Sequence, residues 1–181
     1  MADFCLSPFW GEYRPEGGEG GFFEASTAGG GVGALPHTYH HPMRMTESGA
    51  WERVEAARHA VLGTLHPDRG VDLVPVVFAI DEDHTLFIPI DTVKTKTSTR
   101  LQRIDNLRDD PRCTLLVEAY DDDWSRLWWV RINGTGAEAS AADAELFVPL
   151  LADRYPQYAD PASVVGGVVV RPVDVTGWAA G

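Results

Sequence analysis

The two lysines of the chain, Lys94 and Lys96, stand two positions apart in the stretch DTVKTKTSTR, residues 91–100. Five hydroxyl side chains share this stretch, Arg100 closes it, and Arg103 follows soon after. Basic and hydroxyl side chains beside the free N–H groups of a helix N-terminus are typical of a phosphate site. The composition of this segment therefore indicates a cradle for an anion.

The position of the cluster on a predicted helix strengthens this interpretation. Apolar residues recur on one side over about residues 98–109, so the cations stand just before and within the first helical turn. The helix macrodipole disfavours each exposed cation there by roughly 0.3–1 kcal/mol. Asp91 could compensate part of this cost, and a bound phosphate would compensate more of it. The alternative is a solvated loop whose lysines only aid solubility.

Composition limits the class of protein. A chain of 181 residues with 44% hydrophobic residues and six tryptophans is long enough for one compact domain. The net charge of −12 argues against nucleic acid or an anionic membrane as the main partner. Cys5 and Cys113 lie far apart, which argues against a disulfide framework and favours the cytoplasm. Because no apolar run reaches the ~20 residues of a spanning helix, we expect no membrane partner.

Two regions differ in composition. Residues 1–45 are rich in glycine and lack apolar periodicity, which predicts a flexible, disordered extension. Residues 46–181 carry the pattern of a folded domain, with Thr46 or Ser48 as the N-cap of its first helix.

The domain is predicted to be an α+β barrel of six antiparallel strands with flanking helices. Apolar runs predict strands at 60–65, 71–80, 85–90, 112–120, 127–139 and 166–178, and helical patterns at 50–59, 98–109 and 142–155.

The order of these segments resembles a known family. LVPVVFAI, then the lysine stretch, then DDPRCTLLVEAYDDDWSRLWWVRINGTG and a late RYPQY resemble the FMN-binding split-barrel superfamily, also called pyridoxamine 5′-phosphate oxidase-like. The resemblance covers about residues 50–178. Within the family, DDDWSRLWWVRINGTG and LLADRYPQY are most similar to an actinobacterial clade of coenzyme F420-dependent enzymes.

The resemblance implies a split β-barrel homodimer with a flavin or deazaflavin in a groove between its two chains. It places the cofactor phosphate at Lys94, Thr95, Lys96, Thr97 and Arg100. It also implies that the ring is lined by Pro75, Val76 and Val77, with Ile90 and Asp91 close by. Any single valine of this set could equally belong to the barrel core.

Three tryptophans in the most specific part of the resemblance are further candidates. Trp128 and Trp129 are adjacent in a strand, so one can enter the core while the other faces outward. By the resemblance, Trp124, Arg126, Trp129 and Arg131 are candidates for contacts with the cofactor or the partner chain. Packing at a dimer interface alone is the competing interpretation.

The predicted function is an oxidoreductase that uses coenzyme F420 to transfer a hydride to a small organic substrate. The alternatives are an FMN-dependent oxidase or reductase of the same fold and a deazaflavin carrier or sensor without turnover. The cofactor would supply the chemistry, so no nucleophile is required and no catalytic residue is assigned. Tyr120 or Tyr158 could assist proton delivery, and nothing in the sequence selects between them.

Two other motifs give weaker indications of a functional site. His37, His40 and His41 lack acidic or cysteine partners at suggestive spacing, so no metal site is assigned to them. The acidic run 121–123 lacks the glycine and distal glutamate of a calcium loop and is interpreted as a solvated turn.

Overall fold

The computed structural model describes residues 43–92 and 101–180. Its eight strands are β1 (Met43–Arg44), β2 (Ala60–His66), β3 (Gly70–Val76), β4 (Ala79–Ile80), β5 (Leu86–Asp91), β6 (Arg112–Ala119), β7 (Trp128–Glu138) and β8 (Val164–Ala179). Its α-helices are α1 (Glu47–Ala56), α2 (Gln102–Asp109) and α3 (Ala141–Arg154), and short 3₁₀ helices span Trp124–Arg126, Pro156–Tyr158 and Pro161–Ser163. The predicted extension at residues 1–45 lies outside the described residues up to residue 42.

The antiparallel sheet has the order β3-β2-β6-β7-β8-β5-β4, with β1 paired to β8. The strands β3 and β4 stand at opposite ends of this order, yet only Val77 and Phe78 separate them in the chain. Two residues reach about 10 Å at most, so the two ends of the sheet must lie close together. The sheet therefore curves round into a barrel that the chain itself closes.

This topology confirms the predicted fold class with one difference. Six long strands and three α-helices are present, and the two-residue strands β1 and β4 are additional. The apolar run predicted as one strand over 71–80 is divided into β3 and β4, because the chain leaves one end of the sheet at Val76 and joins the other at Ala79.

Local sequence explains how the helices begin. The Thr46 side chain accepts a hydrogen bond from the Gly49 N–H at 3.1 Å and caps α1. The Ser140 and Asp143 side chains form a reciprocal capping box on α3. The helix α2 starts at Gln102 without a side-chain cap, later than the predicted residue 98, although residues 98–100 lie outside the described part. Among the described helices, none is long and apolar enough to cross a membrane.

The strand β8 separates two hydrophobic clusters. Val168 and Val170 face the larger cluster inside the barrel, together with Leu115 and Ile132. Val169, between them, faces a second cluster under α3 whose members include Phe87, Phe147, Leu151, Tyr155 and Tyr158. This alternation follows the period of two of a strand buried on both faces. Through Tyr158, this second cluster holds the 3₁₀ helix Pro156–Tyr158 near the end of β5.

Candidate functional site

The predicted phosphate cradle, Lys94, Thr95, Lys96, Thr97 and Arg100, falls within residues 93–100 and lies outside the described part of the chain. The structure does describe both flanks of this segment. Asp91 and Thr92 end the β5 side, and Leu101 and Gln102 begin the α2 side. The surroundings of the predicted cradle can therefore be built from these two flanks.

On the β5 flank, Asp91 is tied to a distant part of the chain. The phenol O–H of Tyr158 donates to Oδ2 of Asp91 at 2.9 Å. Tyr158 is buried, and burial, followed by this bond to a carboxylate, raises the pKa of the phenol well above its usual range. The Thr92 N–H donates to the Ser163 carbonyl at 2.9 Å, so the backbone is held at the same point.

On the α2 flank, Arg103 is a half-buried cation in the first helical turn. Burial lowers the pKa of its guanidinium, and the negative charge of Asp91 acts in the opposite direction. Its Nε is buried and has no hydrogen-bond partner among the described residues, and the same is true of the Ser163 hydroxyl. Because buried donors are almost always paired in folded proteins, each of these two groups can take a partner from outside the described residues.

The three residues predicted to line the ring lie in three different environments. Pro75 is exposed on β3, an edge strand of the sheet order, which is where a residue without a backbone N–H is tolerated. Val76 is buried in the main core, and Val77 packs against the second cluster. Ile90 packs against the main core beside Asp91.

The three candidate tryptophans also lie in different environments. Trp128 packs against the main core with the Arg53 guanidinium 5.1 Å from its ring centroid. Trp129 lies on the opposite face of β7, where the Arg131 guanidinium stands 5.8 Å from its ring centroid. Trp124 is 72% exposed, in the 3₁₀ helix that also carries Arg126.

Arg126 is engaged by a local carboxylate. Its Nη2 lies 3.4 Å from Oδ2 of Asp121, and both side chains are accessible to solvent. An exposed pair of this kind contributes little to stability, so the arginine can exchange its partner at low cost.

One face of the sheet, which we call the outer sheet face, is exposed and largely apolar. It surrounds a shallow cavity of about 630 Å³ on strands β2, β3, β6, β7 and β8. Its apolar members are Val61, Leu65, Val71, Leu73, Leu116 and Val173. Val71, Leu73 and Val173 are 59%, 66% and 77% exposed. Exposed apolar residues grouped on one face are candidates for a binding or association surface.

Strand register places two predicted site residues on this outer sheet face. Pro75 pairs with Val61, Val61 with Leu116, and Leu116 with Arg131, so these four residues form one row across four strands. Trp129 is two residues before Arg131 and shares its face. The structure therefore groups Pro75, Trp129 and Arg131 on the outer sheet face, and Ile90 with Asp91 at the β5–α2 flank.

The sequence shows Arg103 as one of the clustered cations but does not indicate which site it belongs to. It gives no indication that Tyr158 contacts Asp91. The signal for Arg103 was its position in the first turn of an amphipathic helix. The contact between Tyr158 and Asp91 joins residues 67 positions apart and has no local signature. Among the described residues, no cluster of side chains could hold a metal ion.

Comparison with known structures agrees with this architecture. A conserved hypothetical protein from Mycobacterium tuberculosis, Rv2991, superposes with a TM-score of 0.62 at 20% identity, over 75% of this chain and 86% of that one. An FAD-binding protein from Mesorhizobium loti gives 0.59 at 14% identity, over 78% and 98%. The heme storage protein HutZ from Vibrio cholerae gives 0.55 at 9% identity, over 71% and 92%.

Sequence comparison assigns the family. No curated protein sequence matches the chain. The family model described as pyridoxamine 5′-phosphate oxidase matches residues 50–178, which is well over half of the chain. The match includes every long strand except for the last residue of β8, and all but the first three residues of α1. The chain therefore belongs to the pyridoxamine 5′-phosphate oxidase family.

Proposed function

We propose that residues 46–181 form a homodimeric oxidoreductase domain that binds a flavin-type cofactor, namely the deazaflavin coenzyme F420, and transfers a hydride to a small organic substrate. The observation that carries this proposal is the half-buried Arg103 in the first turn of α2, whose buried Nε has no partner among the described residues. Lys94, Lys96 and Arg100 precede it directly in the sequence.

An anionic ligand would account for this arrangement. A partly buried cation loses solvation, and the N-terminal end of a helix adds further positive potential. Asp91 and Asp105, which lies in the first turn of α2, offset part of that cost, but the sequence sets two carboxylates against four clustered cations. A phosphate would neutralise the excess and accept hydrogen bonds from the guanidinium and from nearby hydroxyls. The predicted ligands Lys94, Thr95, Lys96 and Thr97 remain part of this proposal.

The outer sheet face supplies what a ring system and a second chain require. Its apolar surface is continuous with Pro75 on one side and with Trp129 and Arg131 on the other. A homodimer that covers this surface would leave a groove at its rim, with Trp124 and Arg126 available from the exposed 3₁₀ helix. That a protein of similar fold is described as FAD-binding supports a flavin-type cofactor.

The number of basic groups favours the deazaflavin over FMN. The single phosphate of FMN needs fewer cations than the phosphate and glutamate tail of coenzyme F420. Arg126 and Arg131 provide positive charge beyond the four cations at α2, and both are exposed. FMN remains the alternative cofactor.

The bound deazaflavin would supply a two-electron hydride transfer, and the residues of this chain would bind it, orient it and exclude water. Tyr158 is not assigned as a proton donor, because its O–H is donated to Asp91 at 2.9 Å and its pKa is raised. A second candidate function is binding without turnover. The similar fold of a heme storage protein supports this alternative.

Parallel titrations with FMN and coenzyme F420, followed by fluorescence, test the cofactor. We expect tighter binding of F420, with affinity lost in Lys94→Ala, Lys96→Ala and Arg103→Gln. Arg108→Ala is the matched control, because it removes the same charge from the last turn of the same helix. Tight binding of FMN alone would change the assigned cofactor from coenzyme F420 to FMN. Binding of neither cofactor would refute the proposal.

A second measurement separates enzyme from carrier. Reduced coenzyme F420 bound to the protein is mixed with a panel of enones and quinones, and its oxidation is followed by absorbance. An enzyme accelerates oxidation with at least one compound, whereas a carrier leaves it at the rate of the free cofactor.

A further inference from the structure

We infer that a second cavity, at one end of strands β6, β7 and β8, binds a small organic carboxylate between the guanidiniums of Arg53 and Arg126. Its volume is about 340 Å³, at the lower end of the roughly 300–1,000 Å³ of small-molecule sites. Its charged members are Arg53, Asp121 and Arg126. The inference does not depend on the proposed cofactor, because none of the lining residues belongs to the predicted phosphate cradle.

Small residues beside a tryptophan leave the space for this cavity. Trp128 is the first residue of β7, and it pairs with Ala119 of β6 and Ala179 of β8. Paired residues of neighbouring strands share one face of a sheet, so two methyl groups flank the large indole. Trp129 lies on the opposite face of β7. The cavity is therefore separate from the outer sheet face, and the two cavities share no lining residue.

Arg53 is held over the indole of Trp128. It lies in the last turn of α1, and its Cζ is 5.1 Å from the ring centroid, within the range of a cation–π contact. Among the described residues, no carboxylate is within ion-pair distance of Arg53. A stacked guanidinium uses its face and keeps the N–H groups at its edge for other partners. Arg53 can therefore donate to a ligand carboxylate in the plane of its nitrogen atoms.

Arg126 lines the same cavity and has one carboxylate beside it. Its Nη2 lies 3.4 Å from Oδ2 of Asp121, which is longer than the roughly 2.7–2.9 Å of a charge-assisted hydrogen bond. The other carboxylate oxygen of Asp121 accepts from the Asp123 N–H at 2.9 Å and is held in the loop. A free carboxylate can approach the guanidinium more closely and bind it with both oxygens. Asp121 is therefore the group that such a ligand displaces.

The lining favours a carboxylate that also carries a small apolar part. Two guanidiniums and one carboxylate give the cavity a positive balance in a chain of net charge −12. Ser125 also lines it, but its hydroxyl donates to Asp123 at 2.7 Å and is not a further donor. The remaining lining residues are apolar: Ala119, Leu127, Trp128, Ala179 and Ala180. Inorganic phosphate would meet the cations and leave this apolar surface uncovered.

Titration of the full chain with benzoate tests this site in the absence of cofactor. The indole N–H resonances are followed by NMR, and the resonance of Trp128 is assigned through Trp128→Phe. We expect saturable binding that shifts the Trp128 resonance. Benzamide, which keeps the ring without the charge, should bind more weakly, and so should acetate and inorganic phosphate, which lack the ring. Arg53→Gln and Arg126→Gln should each raise the benzoate Kd about tenfold to hundredfold, because each removes charged hydrogen bonds.

Three variants separate a specific contact from a general effect of charge. Asp121→Asn removes the competing carboxylate and keeps an oxygen for the Asp123 N–H, so the benzoate Kd should fall about threefold to tenfold. Asp122→Asn removes the same charge from the same loop without touching the cavity lining, and it should change Kd by less than about twofold. Arg171→Gln, at a distant position of β8, is the matched control for the two arginine variants.

Ala119→Leu tests the space instead of the charge. Leucine would fill the cavity beside Trp128 while leaving both arginines in place, so benzoate binding should be lost. Arg53→Lys keeps a cation over the indole and should recover part of the affinity that Arg53→Gln loses. Urea unfolding verifies the fold of every variant. If Arg53→Gln does not fold, Ala119→Leu and Asp121→Asn still decide the matter.

The outcomes are separable from those of the cofactor titrations. No benzoate binding, equal binding of benzoate and benzamide, or an unchanged Kd in Ala119→Leu overturns the carboxylate site. An equal fall of Kd in Asp121→Asn and Asp122→Asn overturns the displacement of Asp121. Competition between benzoate and coenzyme F420 would assign the cavity to the cofactor groove and overturn a separate site. Each of these results leaves the proposed function standing, and failure to bind either cofactor leaves the carboxylate site standing.

Discussion

The indole of Trp51 and the imidazole of His84 are stacked, with ring centroids 4.1 Å apart and planes within 5° of parallel. Trp51 lies on the buried face of α1, and His84 lies in the turn between β4 and β5. The backbone of His84 has a φ of 60°, in the left-handed region that few residues with a Cβ adopt. The contact therefore joins α1 to the barrel. Its favourable free energy offsets part of the cost of the unusual backbone conformation.

Replacing His84 should separate these two contributions. His84→Ala loses the stack and keeps the unfavourable φ, so we expect a loss of about 1–2 kcal/mol in the free energy of unfolding. His84→Gly loses the same stack but relieves the backbone, and it should be more stable than the alanine variant. Urea unfolding measures both. If the alanine variant equals the unaltered protein, the stack contributes nothing.

A second prediction concerns Asn106, a fully buried polar side chain of α2. Its Nδ2 donates to Thr64 Oγ1 at 2.9 Å and to Asp72 Oδ2 at 3.0 Å, and its Oδ1 accepts from Gln102 Nε2 at 3.0 Å. Asn106→Leu keeps the branched shape in a larger side chain and removes the donor to the buried Thr64 hydroxyl and to Asp72, so we expect a loss of about 2–3 kcal/mol.

Two further variants check the origin of that loss. Adding Thr64→Val to Asn106→Leu removes one unsatisfied hydroxyl and should restore part of the stability. Gln102→Ala, at the exposed end of the same network, should cost less than about 1 kcal/mol. Equal effects of Gln102→Ala and Asn106→Leu in urea unfolding would contradict a network centred on the buried amide.

The third prediction follows from Cys113, which is buried in the main core. Burial raises the pKa of its thiol from 9.0 to about 11. The unfolded chain therefore releases this proton at a lower pH than the folded chain does. The contribution of the protonated thiol to the free energy of unfolding is therefore complete below pH 9 and is lost as the pH rises toward 11.

The measurement is urea unfolding at intervals between pH 8 and pH 11 in a Cys5→Ser background. The free energy of unfolding should decline over this range. In Cys113→Val the decline should be smaller by the amount that the Cys113 thiol contributes. Because valine changes packing as well, only the dependence on pH is compared. An identical pH dependence in both proteins would show that the thiol does not contribute.

The long strands could be predicted from the sequence because their signal is local. Six runs of apolar residues between turn residues gave six long strands, and Pro and Gly positions marked where the chain turns. The break between Val76 and Ala79 could not be predicted in this way, since residues 76–79, VVFA, include no turn residue. What divides it is closure of the barrel, which depends on the whole sheet rather than on the segment.

The predicted phosphate cradle stays a prediction, because residues 93–100 lie outside the described part of the chain. The cation cluster itself is visible in the sequence, because residue types are local properties. Pro75, Val76 and Val77 lie in three different environments, and their contact with a ring stays a prediction. The bond between Tyr158 and Asp91 depends on where α3 packs, and no sequence pattern encodes that distance.

The last prediction concerns the outer sheet face and the proposed homodimer. Leu73 is 66% exposed on the strand β3 of this face, so a charge placed there should not disturb the folded chain. In a symmetric dimer that covers this face, Leu73→Glu introduces a carboxylate from each chain into one apolar interface. We expect the dimer Kd to rise at least about 100-fold, because buried unpaired charges cost several kcal/mol.

Analytical ultracentrifugation over a range of concentrations measures this change. Leu146→Glu is the matched control, since Leu146 is 55% exposed on α3 and does not line the cavity. A dimer of the unaltered protein that persists in Leu146→Glu and dissociates in Leu73→Glu would place the interface on the outer sheet face. Equal dissociation of both variants would mean that added charge acts non-specifically. A monomer at all concentrations would leave this apolar surface for a different partner and would remove the second chain from the proposed cofactor groove.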